Sequence, residues 1–337
     1  MRFIGVDLHT NNLTVCYLTD KGNEVLDSFS LDRLDSFQQS LHPDDQVAVE
    51  ATGNTRFLLK AIKHLVARVV VVNPSQFAVI RKSVKKTDRH DARALATFLR
   101  ADLLPEARLK DEQAAQMNSL CQTRQHLVEL PTTLINKIHA LHNSHGMRSR
   151  KSEFSSEKGL KAVLEREWSV LERVELEVII NQIRALNESI KKLEVQMKQS
   201  LREMEGHQNL TSIKGIGEKS AAILLSVIGD VKDFADEDHL ASYFGIVPRV
   251  SDSNESQRRG RITKRGSKLG RTTLVQCTLV AINYSPYLKK HYEKLKAKKG
   301  SGKAIIATAR KFLGIIYRTL KNKWVFADFP NFVLAEG

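Results

Sequence analysis

The chain opens with an apolar run that ends in a carboxylate, Arg2-Phe-Ile-Gly-Val-Asp7. A second apolar run ends in the same way, Val47-Ala-Val-Glu50. Short aliphatic runs of this kind predict buried strands, and a charge at the end of a buried strand needs a partner. Two carboxylates at the ends of core strands therefore indicate a site that holds a cation.

A third acidic motif lies downstream, Lys86-Thr-Asp88-Arg-His-Asp91-Ala-Arg93. Asp88 and Asp91 are spaced i, i+3 and share one face of a predicted helix. Because clustered carboxylates repel one another, they call for a cation such as Mg²⁺ (or Mn²⁺), which takes oxygen ligands and keeps waters for a substrate phosphate. We predict four residues as metal ligands and catalytic residues: Asp7, Glu50, Asp88 and Asp91. Each alone could be an ordinary surface or capping acid.

The first hundred residues alternate strand and helix signals. Strands are predicted at Phe3–Val6, Leu13–Leu18, Glu24–Phe29, Val47–Glu50 and Val69–Val72. Three strands joined by hairpins and followed by β-α-β units are the order of a ribonuclease-H-like α/β fold. We predict that residues 1–105 form this domain and carry the metal site.

The middle of the chain, residues 106–206, is dominated by helix formers. Its apolar residues step by 4, 3, 4, 3 and 4 positions along one segment: Ile179, Ile183, Leu186, Ile190, Leu193 and Met197. This spacing predicts a coiled coil or a helical hairpin, whereas the alternative is one helix packed on its own domain. A compact, mostly helical domain is predicted over residues 207–330, with a short tail over 331–337.

Gly215-Ile-Gly217 lies between two helix signals and is similar to a helix-hairpin-helix turn. Two glycines allow the backbone to approach a phosphate closely, and the next helix N-terminus offers free N–H groups. We predict nucleic-acid contacts from Lys214, Gly215, Gly217 and Lys219. The alternative is that Gly-x-Gly forms only an ordinary turn between two helices.

The positive charge is concentrated in the last third of the chain. The formal net charge is +15, and residues 211–337 hold 23 Lys and Arg against 11 Asp and Glu, a net +12. Such an excess indicates a polyanionic partner. One basic stretch stands out, with Arg258, Arg259, Arg261, Lys264, Arg265, Lys268 and Arg271. It can follow a phosphate backbone, or it can be a solvated charge run.

Three serines lie just upstream of this stretch, Ser251, Ser253 and Ser256. A serine beside arginines can act as a phosphoryl nucleophile or as a turn residue, and the spacing does not choose among the three. Cys16, Cys121 and Cys277 have no metal-ligand spacing and fit a reducing compartment. No apolar stretch approaches the roughly 20 residues of a membrane span. We therefore expect a soluble, cytoplasmic, nucleoid-associated protein with no membrane partner.

Several motifs, in this order, resemble those of the DEDD-type insertion-sequence transposases, relatives of the Piv-type DNA invertases. They are Gly5-Val-Asp7, Val49-Glu50-Ala-Thr-Gly53, Asn73-Pro74, Lys86-Thr-Asp88-x-x-Asp91-Ala92, Ile213-x-Gly-Ile-Gly217 and Gly245-x-x-Pro248 followed by Gly260-Arg-Ile-x-Lys-x-Gly266. The resemblance spans roughly residues 2–325. It implies a RuvC-like N-terminal domain, a coiled-coil middle and a C-terminal transposase domain with a nucleophilic serine.

Carried over by position, the resemblance implies that Asp7, Glu50, Asp88 and Asp91 would be the acidic quartet of the family and that Ser253 would be its nucleophile. Asn254 stands where family members often have glycine, so Ser251 and Ser256 remain reserve candidates. The resemblance implies Mg-assisted serine attack on double-stranded donor and target DNA, a covalent phosphoserine link, and a structured noncoding guide RNA encoded by the element. Because the acids and the serine lie in different predicted domains, we expect a composite site in a homo-oligomer, a dimer or tetramer.

Two other functions are compatible with these residues. The first is a Holliday-junction-type (RuvC) endonuclease that uses the quartet with a metal-activated water, leaves free cleaved ends and does not depend on Ser253. The second is a non-catalytic nucleic-acid-binding protein built on an inactive nuclease fold, which the intact quartet argues against.

Overall fold

Residues 1–74, 76–77, 87–253 and 256–335 are described by a computed structural model, with the backbone alone for residues 250–253 and 256–259. The chain divides into two compact units, Met1–Leu109 and Lys110–Gly337. Among the described residues, no helix combines the length and the apolar character that a membrane crossing would need.

The first unit is built on a five-stranded sheet with the order β3-β2-β1-β4-β5. Its strands are Arg2–Leu8 (β1), Asn12–Thr19 (β2), Glu24–Ser30 (β3), Gln46–Glu50 (β4) and Arg68–Val72 (β5). Strands β1, β2 and β3 pair antiparallel, whereas β4 pairs parallel with both β1 and β5. The predicted order of three hairpin-connected strands followed by parallel strands is confirmed.

Helices cover both faces of this sheet. They are α1 (Leu34–Gln39), which follows a 3-10 turn at Leu31–Arg33, α2 (Thr55–Ile62) and α3 (Asp88–Arg100). Side chains alternate between the two faces along a strand, so Ile4 and Val6 of β1 join a core with α1 and α2, while Phe3 joins a core with α3. Helix α3 therefore lies on the face that Phe3, Gly5 and Asp7 share.

The second unit begins with two long helices and a short one between them. These are α4 (Glu112–Ser144), α5 (Glu157–Leu164), preceded by a 3-10 turn at Glu153–Ser155, and α6 (Val170–Arg202). Arg124 of α4 pairs with Glu194 of α6, and Lys137 pairs with Glu175, so the two long helices run antiparallel. A capping box between Ser169 and Glu172 fixes the start of α6.

The predicted apolar seam of α6 packs within the chain. Ile179 and Ile183 share a core with Ile138 of α4 and Phe154, whereas Met197 lies in a second core with Met117 of α4. The helical hairpin is therefore the observed arrangement, and a coiled coil between protomers stays a prediction.

The rest of the second unit packs around that second core. Its helices are α7 (His207–Thr211), α8 (Glu218–Ile228), α9 (Glu237–Phe244), α10 (Lys268–Tyr284), α11 (Pro286–Lys299) and α12 (Ser301–Lys321), with a 3-10 turn at Val231–Asp233. Two hairpins complete it, β6 (Pro248–Ser253) with β7 (Ser256–Ile262) and β8 (Phe326–Asp328) with β9 (Val333–Leu334). Because α4 and α6 contribute to this core, the middle segment is tied to the C-terminal one, and the division of the chain into three domains stays a prediction.

Candidate active site

The ends of β1 and β4 bring two predicted ligands side by side. Val6 of β1 pairs with Val49 of the parallel strand β4, so the next residues along the two strands, Asp7 and Glu50, come beside each other. Residues in register on parallel neighbours point to the same face. Asp7 has the parity of Phe3, so it belongs to the face that α3 covers.

Helix α3 carries the other two predicted ligands to this face. It begins at Asp88, where the Thr87 hydroxyl accepts a hydrogen bond from the His90 amide at 3.3 Å. Asp91 is buried in the first turn, with only 8% of its surface exposed. The start of the helix therefore places both acids near the end of β1.

A histidine completes the group. His9 Nε2 lies 3.2 Å from Asp7 Oδ2 and 3.4 Å from Asp88 Oδ1. In the described part of the chain, Asp7, His9 and Asp88 form a group that could hold a metal ion, because one ligand atom of each lies within 4.8 Å of the others. Asp7 is buried, whereas His9 and Asp88 are exposed, so the group opens toward solvent.

The electrostatics of the group favour a cation. Burial raises the pKa of Asp7, and the negative charges of Asp88 and Asp91 raise it further, while His9 opposes these effects. The charge of Asp91 therefore affects the pKa of Asp7, although Asp91 is not one of the three clustered residues. A divalent ion bound here would relieve the repulsion between the carboxylates.

The structure brings together some of the predicted ligands more closely than others. Asp7 and Asp88 lie in the three-residue group, Asp91 lies within electrostatic reach, and Glu50 lies at the end of the adjacent strand. The assignment of all four as metal ligands stays a prediction. His9 was missed by the sequence analysis, because it lies beyond Leu8, the last residue of β1, and comes near Asp88 only in the folded chain.

The predicted nucleophile lies in the hairpin formed by β6 and β7. Ser253 ends β6 and pairs with Ser256, the first residue of β7, while Ser251 pairs with Arg258. The side chains of these residues and of Arg259 lie outside the described part of the structure, and so does Asn254. The backbone therefore places the three candidate serines around one hairpin end but does not choose among them.

The base of this hairpin is locked to the end of α9. Gly245 has a φ of +66°, and a Cβ there would come within 1.9 Å of the Arg265 carbonyl oxygen. Gly266 has a φ of +93°, and a Cβ there would come within 2.0 Å of the Tyr243 carbonyl oxygen. Both positions require glycine, because they combine a left-handed backbone with a close approach between segments.

Arg271, predicted to bind nucleic acid, has partners inside the protein. Its Nη1 donates hydrogen bonds to the carbonyl oxygens of Phe244, Arg265 and Gly266 at 3.1–3.3 Å. Burial lowers the pKa of this guanidinium. The geometry thus gives Arg271 a part in holding the hairpin base, whereas the side chains of Arg261, Lys264, Arg265 and Lys268 are exposed.

Gly215 also has a structural reason to be glycine. Its φ is +106°, and a Cβ there would lie 2.9 Å from backbone atoms of Cys277 and Ala281 in α10. Gly217 precedes α8 and faces open space, and Lys214 and Lys219 are exposed. Gly215 therefore brings the turn close to the protein's own helix, and a phosphate contact at this turn stays a prediction.

Lys219 and Lys268 line a common cavity of about 640 Å³ between α4, α8 and α10. Arg124, Gln122, His126 and Gln276 also line it. Two predicted nucleic-acid-binding lysines, one from the glycine turn and one from the basic stretch, are thus brought to one cavity.

Comparison with known proteins adds an independent observation. Residues 4–145 match a family model for DEDD transposases of the IS110 group, and residues 207–293 match a model described as "Transposase IS116/IS110/IS902 family". The two matches cover the segment that carries the acidic group and most of the segment that carries the β6–β7 hairpin.

Individual relatives agree with these matches. The chain is 30% identical, over 84% of its length and 85% of the relative, to the transposase for insertion sequence element IS1328 of Yersinia enterocolitica. It is 28% identical to a probable family 20 transposase of Pseudomonas aeruginosa, over 80% of this chain and 78% of the relative. It is 25% identical to the pilin gene-inverting protein of Moraxella lacunata, over 96% of this chain and 97% of the relative.

Proposed function

Because the chain belongs to the IS116/IS110/IS902 family of insertion-sequence transposases, we propose that it cuts and rejoins DNA by serine attack on a phosphodiester, assisted by a divalent cation. The family itself establishes an enzyme that rearranges DNA. The cation, the serine and the covalent intermediate are our proposal. The observation that carries it is the group of Asp7, His9 and Asp88 on the face of β1 that α3 covers.

The donor set fits a hard or borderline divalent cation. Carboxylate oxygens suit Mg²⁺ and Mn²⁺, and an imidazole nitrogen is accepted by Mn²⁺ more readily than by Mg²⁺. Asp7, Asp88 and His9 would hold the ion, with Asp91 and Glu50 as further carboxylates beside them. When bound, the ion would neutralise charge on the phosphate oxygens. The proposed family fold is RuvC-like, which the strand order supports.

Ser253 is proposed as the nucleophile. Its Oγ forms a bond to phosphorus while the bond between phosphorus and the leaving strand oxygen breaks, and the electron pair of that bond stays on the leaving oxygen. The serine proton passes to solvent or to a carboxylate, and the leaving oxygen takes up a proton to become a free hydroxyl. The number of phosphate ester bonds is unchanged. The bond between serine and phosphate therefore conserves the energy of the broken phosphodiester, which is then available to rejoin DNA strands. Arg261, Lys264 and Arg265 are exposed and follow Ser253 closely in the sequence. They would neutralise the negative charge of the DNA phosphates.

The guide RNA and the homo-oligomer belong to the same proposal. The net charge of +12 over residues 211–337 supports a polyanionic partner but does not distinguish RNA from DNA. We expect the purified protein to form a dimer or tetramer, which light scattering measures.

Serine substitutions test the covalent step. Ser253→Ala should abolish a denaturant-resistant protein–DNA adduct while leaving DNA binding intact. Ser251→Ala and Ser256→Ala are matched controls and should retain the adduct. Persistence of the adduct in Ser253→Ala would overturn the assignment of this residue.

Asp7→Asn tests the acidic group, with Asp44→Asn as the control because Asp44 is exposed and lies outside the group. Asp7→Asn should abolish strand cleavage, and Asp44→Asn should not change it. The second candidate function, a metal-dependent endonuclease that uses water, is favoured by the same acidic group. It predicts cleavage that is lost in Asp7→Asn but retained, with free ends, in Ser253→Ala.

A further inference from the structure

Helix α11 and the start of α12 carry a dense positive charge that is separate in sequence from the basic stretch between Arg258 and Arg271. Residues 286–303 hold seven lysines and one glutamate, a net +6. The lysines are Lys289, Lys290, Lys294, Lys296, Lys298, Lys299 and Lys303. All seven side chains are exposed.

Three of these lysines form a row on one helix face. Lys290, Lys294 and Lys298 are spaced i, i+4 and i+8, which places them in line with a rise of about 6 Å per step. The opposite side of α11 is anchored by Leu288, which is fully buried. We call Lys290, Lys294 and Lys298 the α11 lysine face.

The ammonium groups of this face have no acidic partner among the described residues. Other lysines of the same unit do, since Lys137 pairs with Glu175 at 3.1 Å and Lys198 pairs with Glu218 at 2.9 Å. An unneutralised row of like charges is unfavourable by itself, because each lysine raises the electrostatic potential at the next. A polyanion that binds there would remove this repulsion.

The neighbouring helix adds to the same positive field. His291 lies between the lysines of α11 in the sequence. Burial is the main cause that lowers the pKa of His291, and the positive charges of Lys311 in α12 and of Lys294 lower it further. Lys311 and Lys294 therefore act on one point from two different helices. The field around the α11 lysine face is a property of the folded helix pair and not of one segment alone.

Two aromatic rings of α11 have lysines of the protein itself as cation–π partners. Lys311 Nζ lies 4.3 Å from the centre of the Tyr287 ring, and Lys296 Nζ lies 5.9 Å from the centre of the Tyr292 ring. Proteins that bind single strands use free aromatic faces on which bases stack. Because both rings are engaged within the protein and the lysines are flexible point charges, this face suits contact with a duplex backbone better than contact with unstacked bases.

We propose that the α11 lysine face binds the phosphate backbone of duplex DNA, as a contact separate from the β6–β7 hairpin. The proposal rests on the proposed function in taking DNA as the substrate. The row from Lys290 to Lys298 extends about 12 Å, a length over which duplex DNA presents about seven phosphate charges. Each lysine can therefore meet a phosphate without base-specific contacts.

The test uses the full-length chain with Lys290→Gln, Lys294→Gln and Lys298→Gln combined. Fluorescence anisotropy with a labelled duplex DNA is measured over a series of salt concentrations. Loss of three phosphate contacts should reduce the slope of log K against log salt by about 2.7, since each contact contributes about 0.9. Affinity at low salt should fall at least about tenfold.

The matched control removes the same charge elsewhere. Lys158→Gln, Lys191→Gln and Lys192→Gln change three exposed lysines of α5 and α6. If the control reduces the slope as much as the α11 variant, net charge explains the effect and the proposal is overturned. An α11 variant with the parental slope overturns it as well.

Two further arms separate the partner and the chemistry. A structured RNA hairpin replaces the duplex in parallel titrations, and a change confined to the RNA would overturn DNA as the occupant. All titrations are repeated in the Asp7→Asn background, where cleavage is not needed for the readout. Adduct formation is measured separately in the chain that keeps Asp7. Slope loss in the Asp7→Asn background together with no adduct in the chain that keeps Asp7 would support the lysine face and contradict the serine mechanism, whereas an adduct without slope loss would do the opposite.

Discussion

Gly5 of β1 lies directly against Ala92 of α3, where a Cβ on Gly5 would come within 2.0 Å of the Ala92 carbonyl oxygen. The same position would also bring that Cβ within 2.5 Å of the Ala96 amide nitrogen. The absence of a side chain at Gly5 thus allows α3 to approach the sheet closely. This approach sets the distance between Asp7 on the strand and Asp88 on the helix.

Gly5→Ala should therefore push α3 away from β1. We expect the free energy of unfolding to fall by about 1–3 kcal/mol, the usual cost of overpacking, as measured by urea denaturation. Divalent-ion binding should weaken with it. Gly53→Ala is the control, since a Cβ at Gly53 meets no atom within 4 Å, and its unfolding free energy should change by less than about 0.5 kcal/mol. Equal stability of the two variants would contradict the close packing.

His9→Ala tests whether the imidazole belongs to the ion site. Removing a nitrogen that lies within 3.4 Å of two carboxylates should lower Mn²⁺ affinity at least about tenfold, as measured by calorimetry. His64→Ala changes an exposed histidine of the same unit and should leave the affinity unchanged. Unaltered Mn²⁺ binding by His9→Ala would remove His9 from the ligand set.

Arg271 allows a structural role to be separated from nucleic-acid binding. Arg271→Ala removes hydrogen bonds to three carbonyl groups, and we expect a loss of about 2–4 kcal/mol of unfolding free energy. Arg271→Lys keeps the positive charge, but its shorter side chain does not carry a nitrogen to the position of Nη1, so it should also be destabilised. Arg173→Ala, on an exposed pair with Glu177, serves as the control and should change stability by less than about 1 kcal/mol. A Lys variant as stable as the parent would argue for a role of charge alone.

His142 gives the helical hairpin a dependence on pH. Burial lowers the pKa of this ring, and the nearby Arg166, whose Nη1 donates to His142 Nδ1 at 3.0 Å, lowers it further. The unfolded chain then takes up the proton first, so the stability from His142 is fully present above its ordinary pKa of about 6.5. It is lost as the pH falls through the lower, folded value.

Thermal unfolding at pH 7.5 and 5.5 measures this effect. His142→Gln should show a smaller drop in Tm between the two pH values than the parent does. His126→Gln, at an exposed position of α4, should keep the parental drop. A parental pH response in His142→Gln would contradict the assignment of this dependence to the buried ring.

Much of the N-terminal fold was predictable because its signals are local. Apolar runs marked the strands of the sheet, and the carboxylates at their ends marked the site. His9 was not predicted because its contact with Asp88 joins residues far apart in the sequence. The structural roles of Gly215 and Arg271 were not predicted either, because their partners are distant in the sequence. Gly215 approaches α10, and Arg271 donates to carbonyl groups at the hairpin base, only in the folded chain.

The seam of α6 shows a different kind of limit. Its spacing predicted an apolar stripe correctly, but a stripe does not specify its partner. Charge pairs such as Arg124 with Glu194 join α6 to the antiparallel helix α4, and the spacing of these pairs in the sequence carries no signal.

The helical hairpin is fixed by two separate hydrophobic cores, which set its length. Cys121 of α4 belongs to one core and Ile138 of the same helix to the other, and about 26 Å of continuous helix separates them. The tip of the hairpin is thus held at a fixed distance from the second core, to which α11 contributes Leu288. Inserting or deleting whole helical turns in both α4 and α6 would therefore lengthen or shorten the distance between the two cores.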